Sequence, residues 1–159
     1  MTDTLEGSFD ADGLRVAVVA ARFNSMFADQ LIGGAVDTLV RHGADTDDID
    51  VVRCPGSFEL PQVAARVADT VDVDAIICLG VLIRGATPHF DYIASQAARG
   101  IGSVGLDTGL PVTFGVITCD TVEQAVERSG SKSGNKGAEA AVAAIEMANL
   151  YNAIDEAAR

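Results

Sequence analysis

The stretch Ala75-Ile76-Ile77-Cys78-Leu79-Gly80-Val81-Leu82-Ile83-Arg84-Gly85-Ala86-Thr87-Pro88-His89-Phe90-Asp91-Tyr92 decides the fold. Ala75 to Leu79 is an unbroken apolar run, as expected of a strand buried on both faces. A polar turn with Gly85 follows, and then a helix begins. Thr87 is placed to cap that helix, because its hydroxyl can accept from the first free backbone N–H groups. Pro88 suits the first helical position, where a missing N–H does no harm. His89 falls in the first turn, beside several unpaired donors. Such a terminus attracts an anion such as phosphate. It also disfavours imidazolium, so His89 is expected to be a neutral base.

Working outward, the same alternation recurs. Leu14 to Ala21 is a second buried-strand run, ended by Arg22-Phe23-Asn24-Ser25, where Asn24 or Ser25 can cap a helix. That helix, about Met26 to His42, carries Phe27, Leu31, Ala35 and Leu39 at i, i+4 spacing, and Gly43 is a natural stop. Asp50 to Cys54 is a short strand, and Phe58 to Thr70 is a helix with Pro61 in its first turn. The helix from His89 is expected to end near Gly100. Pro111 to Cys119 is the fourth strand. Asp120 or Thr121 opens a helix with capping-box spacing to Glu123 or Gln124. Ser129 to Gly137 reads as a Gly/Ser/Lys loop, and a last helix runs from Ala138 to near the end. That helix is apolar on two stripes, one with Ala140, Ala143, Met147, Leu150 and Ile154, the other with Ala141, Val142, Ile145 and Ala148. One stripe can cover a sheet, and the other calls for a partner.

Strands alternating with helices predict one α/β domain over residues 1–159, a parallel four-stranded sheet with helices on both faces. Residues 1–13 are expected to be an arm or edge strand. In such sheets ligands bind beyond the carboxyl ends of the strands. Four segments then point at one edge: Arg22 to Ser25, Pro55 to Glu59, Val81 to His89, and Cys119 to Glu123. They pool Phe23, Asn24, Ser57, Glu59, Arg84, Thr87 and His89.

Composition narrows the partners. Asp and Glu total 23 against 11 Lys and Arg, a formal net charge of −12. A surface this acidic repels nucleic acid and anionic membranes. It is also the balance expected in a salt-rich cytoplasm, where screening relieves self-repulsion. No apolar run approaches a membrane span, and the first residues carry no signal-peptide pattern. Cys54, Cys78 and Cys119 each lie in or beside an apolar run without a C-x-x-C pair, as buried reduced thiols do. A cytoplasmic protein is expected.

Two glycine patterns are set aside. Gly100, Gly102 and Gly105 match G-x-G-x-x-G, but a dinucleotide fingerprint follows a strand and opens a helix. Gly130 to Gly137 resembles a phosphate loop in composition only, since Lys136 precedes Gly rather than Ser or Thr. Two histidines and no cysteine pair give no basis for a metal. His42, at a helix C-terminus, simply complements the dipole. Other residues stay open on local grounds. Glu59 either complements a helix dipole or holds a ligand. Phe23 is either core or a stacking platform for a flat ring. Arg128 and Phe114 are by default a dipole partner and a core residue.

Four segments carry a resemblance. Ala21 to Asn24, Pro55 to Pro61, Gly80 to Tyr92, and Asn135 to Leu150 closely resemble the 6,7-dimethyl-8-ribityllumazine synthase family, in order and at family spacing. Pro88 and Cys54 are minor departures. The resemblance implies a flavodoxin-like three-layer fold. It implies condensation of 5-amino-6-(D-ribitylamino)uracil with 3,4-dihydroxy-2-butanone 4-phosphate, with no metal or organic cofactor. By the same resemblance, Phe23 stacks on the pyrimidine, Ser57, Phe58 and Glu59 hold the ribityl chain and ring, and Val81, Leu82 and Ile83 line the pyrimidine pocket. Gly85, Ala86 and Thr87 meet the phosphate, and His89 carries protons. Phe114 and Arg128 come from a neighbouring subunit, Arg128 pairing with the phosphate, and Lys136 lies nearby. The family also implies a homopentamer with shared sites. The short Ser129–Asn135 loop and the Leu5–Leu14 arm extend this expectation to an icosahedral shell. The alternatives are an archaeal-type riboflavin synthase, a paralogue, and a non-catalytic flavin-binding or cargo shell.

Overall fold

The computed structural model describes residues 3–159. Its main sheet has four parallel strands: β1 (Val16–Ala21), β2 (Ile49–Cys54), β3 (Ala75–Ile83) and β4 (Val112–Cys119). Their order is β2-β1-β3-β4. The helices are α1 (Ser25–Arg41), α2 (Leu60–Thr70), α3 (His89–Thr108), α4 (Val122–Arg128) and α5 (Lys136–Ala157). A two-stranded antiparallel hairpin, β5 (Ser129–Ser131) and β6 (Gly134–Asn135), links α4 to α5. The architecture is the expected three-layer, flavodoxin-like α/β fold.

The continuous apolar runs are explained by two cores. Val16, Val18 and Ala20 of β1, with Ile77, Leu79 and Val81 of β3, face α1 and α5. Ala17, Val19 and Ala21, with Ile76 and Cys78, face α2 and α3. A strand sandwiched in this way has no solvent face on which to place a polar residue. The i, i+4 residues Phe27, Leu31, Ala35 and Leu39 of α1 are all buried. On α5, Ala140, Ala141, Ala144, Ile145 and Ala148 are buried, while Ile154 is exposed and Met147 and Leu150 are half-buried. Among the described residues, no helix is long and apolar enough to cross a membrane.

Several boundaries differ from the sequence reading. β3 runs four residues past Leu79 to Ile83. Helix α3 does not stop at Gly100 but continues to Thr108, with Gly109 at φ 70 in the left-handed cap. A Cβ on Gly100 would stand 2.6 Å from Pro61 Cγ, so this glycine permits α2 and α3 to touch. Burial of Ala97, Ile101 and Val104 outweighs its helix penalty of about 1 kcal/mol. The G-x-G-x-x-G match therefore lies inside a helix. The Ser129–Gly137 segment is the β5–β6 hairpin rather than a plain loop, and α5 begins at Lys136. Its cap is Asn135, whose side chain accepts from the N–H groups of Gly137 and Ala138. The same side chain donates to Gln30 O and Ser129 O, fastening the hairpin to α1.

The arm is not a strand of this sheet. Residues 1–2 lie outside the described residues; beyond them the arm lies against α5, where Asn149 Nδ2 donates to Ser8 O and Asp10 O at 3.0 and 2.9 Å. Gly7 comes so close to the α5 backbone at Glu146 that no side chain fits there. Leu5 and Phe9 remain exposed.

Candidate active site

β1 sends its chain to β2 on one side, while β3 lies on the other, so the strand order reverses at the carboxyl end of β1. That is where an open α/β sheet leaves a crevice. A cleft of about 590 Å³ occupies it. Its walls come from the exits of β1, β2 and β3 and from the start of α3. Phe23, Ser57, Phe58, Glu59, Val81, Leu82, Ile83, Gly85, Thr87 and His89 all line it. Ala86 lies between two lining residues without lining the cleft itself.

Local structure places each group. Phe23 stands two residues past the end of β1, its N–H donating to Pro55 O at 3.1 Å. It is 71% exposed, which rules out the core reading. Ser57 to Glu59 form a 3-10 turn that leads into α2, with Pro61 in the first turn as the spacing requires. Ser57 is buried and packs where Gly80 lacks a side chain. Val81, Leu82 and Ile83 are the end of β3. His89 is the first residue of α3, exposed and facing the cleft.

Two capping expectations fail. Pro88, not Thr87, occupies the cap position of α3, and no side chain caps it. The Thr87 hydroxyl is therefore left to the cleft. Asn24 does precede α1, but its side chain caps nothing. It sits at φ 59, where among the described residues no other non-glycine residue has positive φ. Its Nδ2 donates to Val81 O at 2.9 Å and so binds the exit of β1 to β3. The left-handed backbone costs about 1–2 kcal/mol, least for Asn and Asp. The strain stands in the wall of the cleft.

The fourth strand end does not join the others. Asp120 and Cys119 line a second cavity of about 480 Å³, with Arg84, Phe90, Phe114 and Gln124. The start of α3 stands between the two spaces. Arg84, counted with the site in sequence, is turned to this far side by ion pairs with Asp91 and Asp120 at 2.9 and 3.0 Å. Those hydrogen bonds, to Asp120 first and Asp91 second, hold its guanidinium above its ordinary pKa. Thr121 caps α4 through Gln124 N–H, and Gln124 Oε1 accepts from Asp120 N–H. Phe114 is 44% exposed on the edge strand, which overturns the core reading.

Arg128 and Lys136 also lie outside the cleft. Arg128 Nη1 donates to Gln124 O at 3.2 Å and lies 3.7 Å from Glu127. Lys136 pairs with Glu139 at 3.0 Å. Conversely, the cleft includes Pro55, Phe90 and Ile93, which the sequence reading did not single out. Ile93 was findable, since i+4 from His89 is the same helical face.

The remaining polar groups are quiet. Cys54, Cys78 and Cys119 are free and buried. Burial pushes the Cys78 thiol up to about 12. It also raises Cys54, with Glu59 adding to the effect, and Cys119. His42 Nδ1 meets Thr38 O at 2.7 Å at the end of α1, in keeping with a structural role. Among the described residues, no group of three His, Cys, Asp or Glu side chains is placed to hold a metal ion.

An open cleft at the switch point of a parallel sheet, joining an exposed aromatic ring, a carboxylate and a histidine-bearing helix start, defines a small-molecule site of the three-layer α/β class. The particular family follows from comparison with known proteins. The chain belongs to the 6,7-dimethyl-8-ribityllumazine synthase family, whose model matches residues 13–152. It is 56% identical to the 6,7-dimethyl-8-ribityllumazine synthase of Aquifex aeolicus over 94% of this chain and 97% of that protein. The enzymes of the same name from Desulfotalea psychrophila and Chlorobaculum tepidum are each 54% identical, covering 97% and 92% of this chain and 99% and 95% of their own lengths. The riboflavin synthase and non-catalytic shell alternatives draw no support from these matches.

Proposed function

We propose that this protein condenses 5-amino-6-(D-ribitylamino)uracil with 3,4-dihydroxy-2-butanone 4-phosphate, giving 6,7-dimethyl-8-ribityllumazine, phosphate and water. The observation that carries the reading is the meeting of Phe23, Glu59 and His89 in one cleft beside the 85–88 loop.

In this reading the flat pyrimidine stacks on Phe23, with Val81, Leu82 and Ile83 beneath it. Ribityl hydroxyls donate to the Glu59 carboxylate, and Ser57 and Phe58 bound the chain. The phosphate lies at Gly85 to Thr87, before the free N–H groups of α3. The pyrimidine amine adds to the ketone, and water leaves to give an imine. A C–H proton and the phosphate are then eliminated, and ring closure loses a second water. His89, at the mouth of α3, takes and returns these protons. Much of the acceleration comes from holding two substrates in contact.

The cleft of one chain is half a site in this scheme. Arg128 of another copy supplies a bidentate phosphate partner, with Lys136 close by, and Phe114 of another copy closes the ring pocket. Support comes from the exposure of Phe114 on an edge strand and from the partly uncovered outer face of α5 at Met147, Leu150 and Ile154. The assembly is a homopentamer, and pentamers close into an icosahedral shell through the exposed arm. The protein works in the cytoplasm without cofactor.

The test is condensation activity, followed by lumazine fluorescence, for wild type beside Arg128→Ala. A loss concentrated in KM for the phosphate substrate is expected. Absence of turnover by the wild type overturns the reading. Light scattering that shows only pentamers in molar salt overturns the shell.

A further inference from the structure

We propose that Arg84, clasped by Asp91 and Asp120, is a positioning residue that sets His89 and the 85–88 loop against the cleft. The proposal rests on the reaction assigned above. Residues 85–88 leave β3 and enter α3 with little to hold them. Among the described residues, the hydrogen bond tying this loop is the one from Asp91 N–H to Pro88 O at 3.1 Å, and Thr87 makes none with its side chain. Arg84 spans the gap. Its backbone N–H donates to Cys119 O at 2.8 Å. Its Nη1 donates to Asp91 Oδ1 at 2.9 Å and its Nε to Asp120 Oδ1 at 3.0 Å. One side chain thus joins the end of β3, the first turn of α3 and the turn between β4 and α4.

The same guanidinium carbon stands 4.4 Å from the centre of the Phe90 ring. Phe90 lines both the 590 Å³ cleft and the 480 Å³ cavity behind it. Its ring is a partition, with Arg84 pressing on the far side and the substrate cleft on the near side. Arg84 itself does not line the cleft. It acts through Phe90 and Asp91, the two residues that follow His89 in the chain. A planar fork is needed for this. It makes two directed hydrogen bonds while its central carbon stands over a ring, whereas an ammonium can point at one carboxylate or the other.

The test is a double-mutant cycle of Arg84→Met with His89→Ala, with kcat, KM, melting temperature and amide hydrogen exchange measured for each protein. In the wild-type background kcat falls about 10- to 100-fold, the scale of a misplacement near 1 Å. In the His89→Ala background it falls less than about twofold, because the group being positioned is gone. Arg84→Lys recovers only part of the loss. Exchange at the hydrogen-bonded amides of Arg84 and Asp91 speeds up while the later turns of α3 are unchanged. An equal fold loss in both backgrounds overturns the proposal, as does unchanged exchange at the Arg84 and Asp91 amides. If the wild type shows no turnover, the reaction reading falls, and the exchange measurement alone decides whether the clasp holds the loop.

Discussion

Gly80→Ala tests how the sheet shapes the site. Gly80 lies within β3, paired in register with Val116. A Cβ there would stand 2.5 Å from Ser57 Oγ and 3.4 Å from both Ala21 Cβ and Leu60 Cδ1. The two carbon contacts are ordinary, but the hydroxyl must withdraw by about 0.9 Å to reach the same separation. Ser57 is 5% exposed and opens the 3-10 turn that carries Phe58 and Glu59. It is nearly buried but borders the cleft, so the overlap is taken up by the Ser57 side chain and by the turn that carries it. Overpacking of this kind costs about 1–3 kcal/mol. For a domain of this length that lowers Tm by about 2–12 °C. A shift approaching 1 Å in groups that hold a substrate lowers kcat/KM about 10- to 100-fold. Calorimetry and lumazine fluorescence measure the two effects. The cause is checked by Gly80→Ala combined with Ser57→Gly, which removes the colliding oxygen and is expected to restore most of the lost Tm. A Gly80→Ala protein with wild-type Tm and kcat/KM refutes the reasoning, and so does a double variant no more stable than the single one.

His89 is exposed, so His89→Ala should lower kcat by about 10²–10⁴ with Tm unchanged; a parallel fall in Tm would point to a structural histidine instead. Cys78, with its thiol at about 12 against an ordinary 9.0, is protonated in the folded state where the unfolded chain is ionised. Its effect on stability is nil below about pH 9, and stability then falls by about 1.4 kcal/mol per pH unit towards pH 12. Urea midpoints across pH 8–10 should therefore slope less in Cys78→Ala than in wild type, and equal slopes would refute the burial argument. With a net charge of −12, raising KCl from low to molar concentration should raise Tm by screening self-repulsion, and no rise would remove the expectation of a salt-rich cytoplasm.

The two central strands were legible because a strand buried on both faces has to be apolar throughout, and Val16–Ala21 and Ala75–Leu79 are; the edge strands β2 and β4 are covered less completely and carry polar residues such as Asp50, Arg53 and Thr118. The start of α3 at His89 was legible because Pro88 admits few backbones. The length of α3 was not. Gly100 reads locally as a stop, and only its contact with Pro61 shows that it is there to let two helices meet. The hairpin at Ser129–Asn135 was missed for a related reason, since three- and two-residue strands leave no period to detect.

The sequence by itself determined the fold class, the family and most of the cleft, because strand runs, capping positions and the order of the motifs are local in the chain. It assigned Phe23, Ser57, Glu59 and His89 to one edge through the rule that ligands sit at the carboxyl ends of strands. Tertiary structure decided which of those strand ends face each other. β4 is an edge strand with the α3 start between it and the cleft, so Arg84 and Asp120 turn to a separate cavity. It also decided that Asn24 ties β1 to β3 instead of capping a helix. Both outcomes depend on contacts between residues 36 and 57 positions apart, and no local pattern in the chain records such a distance.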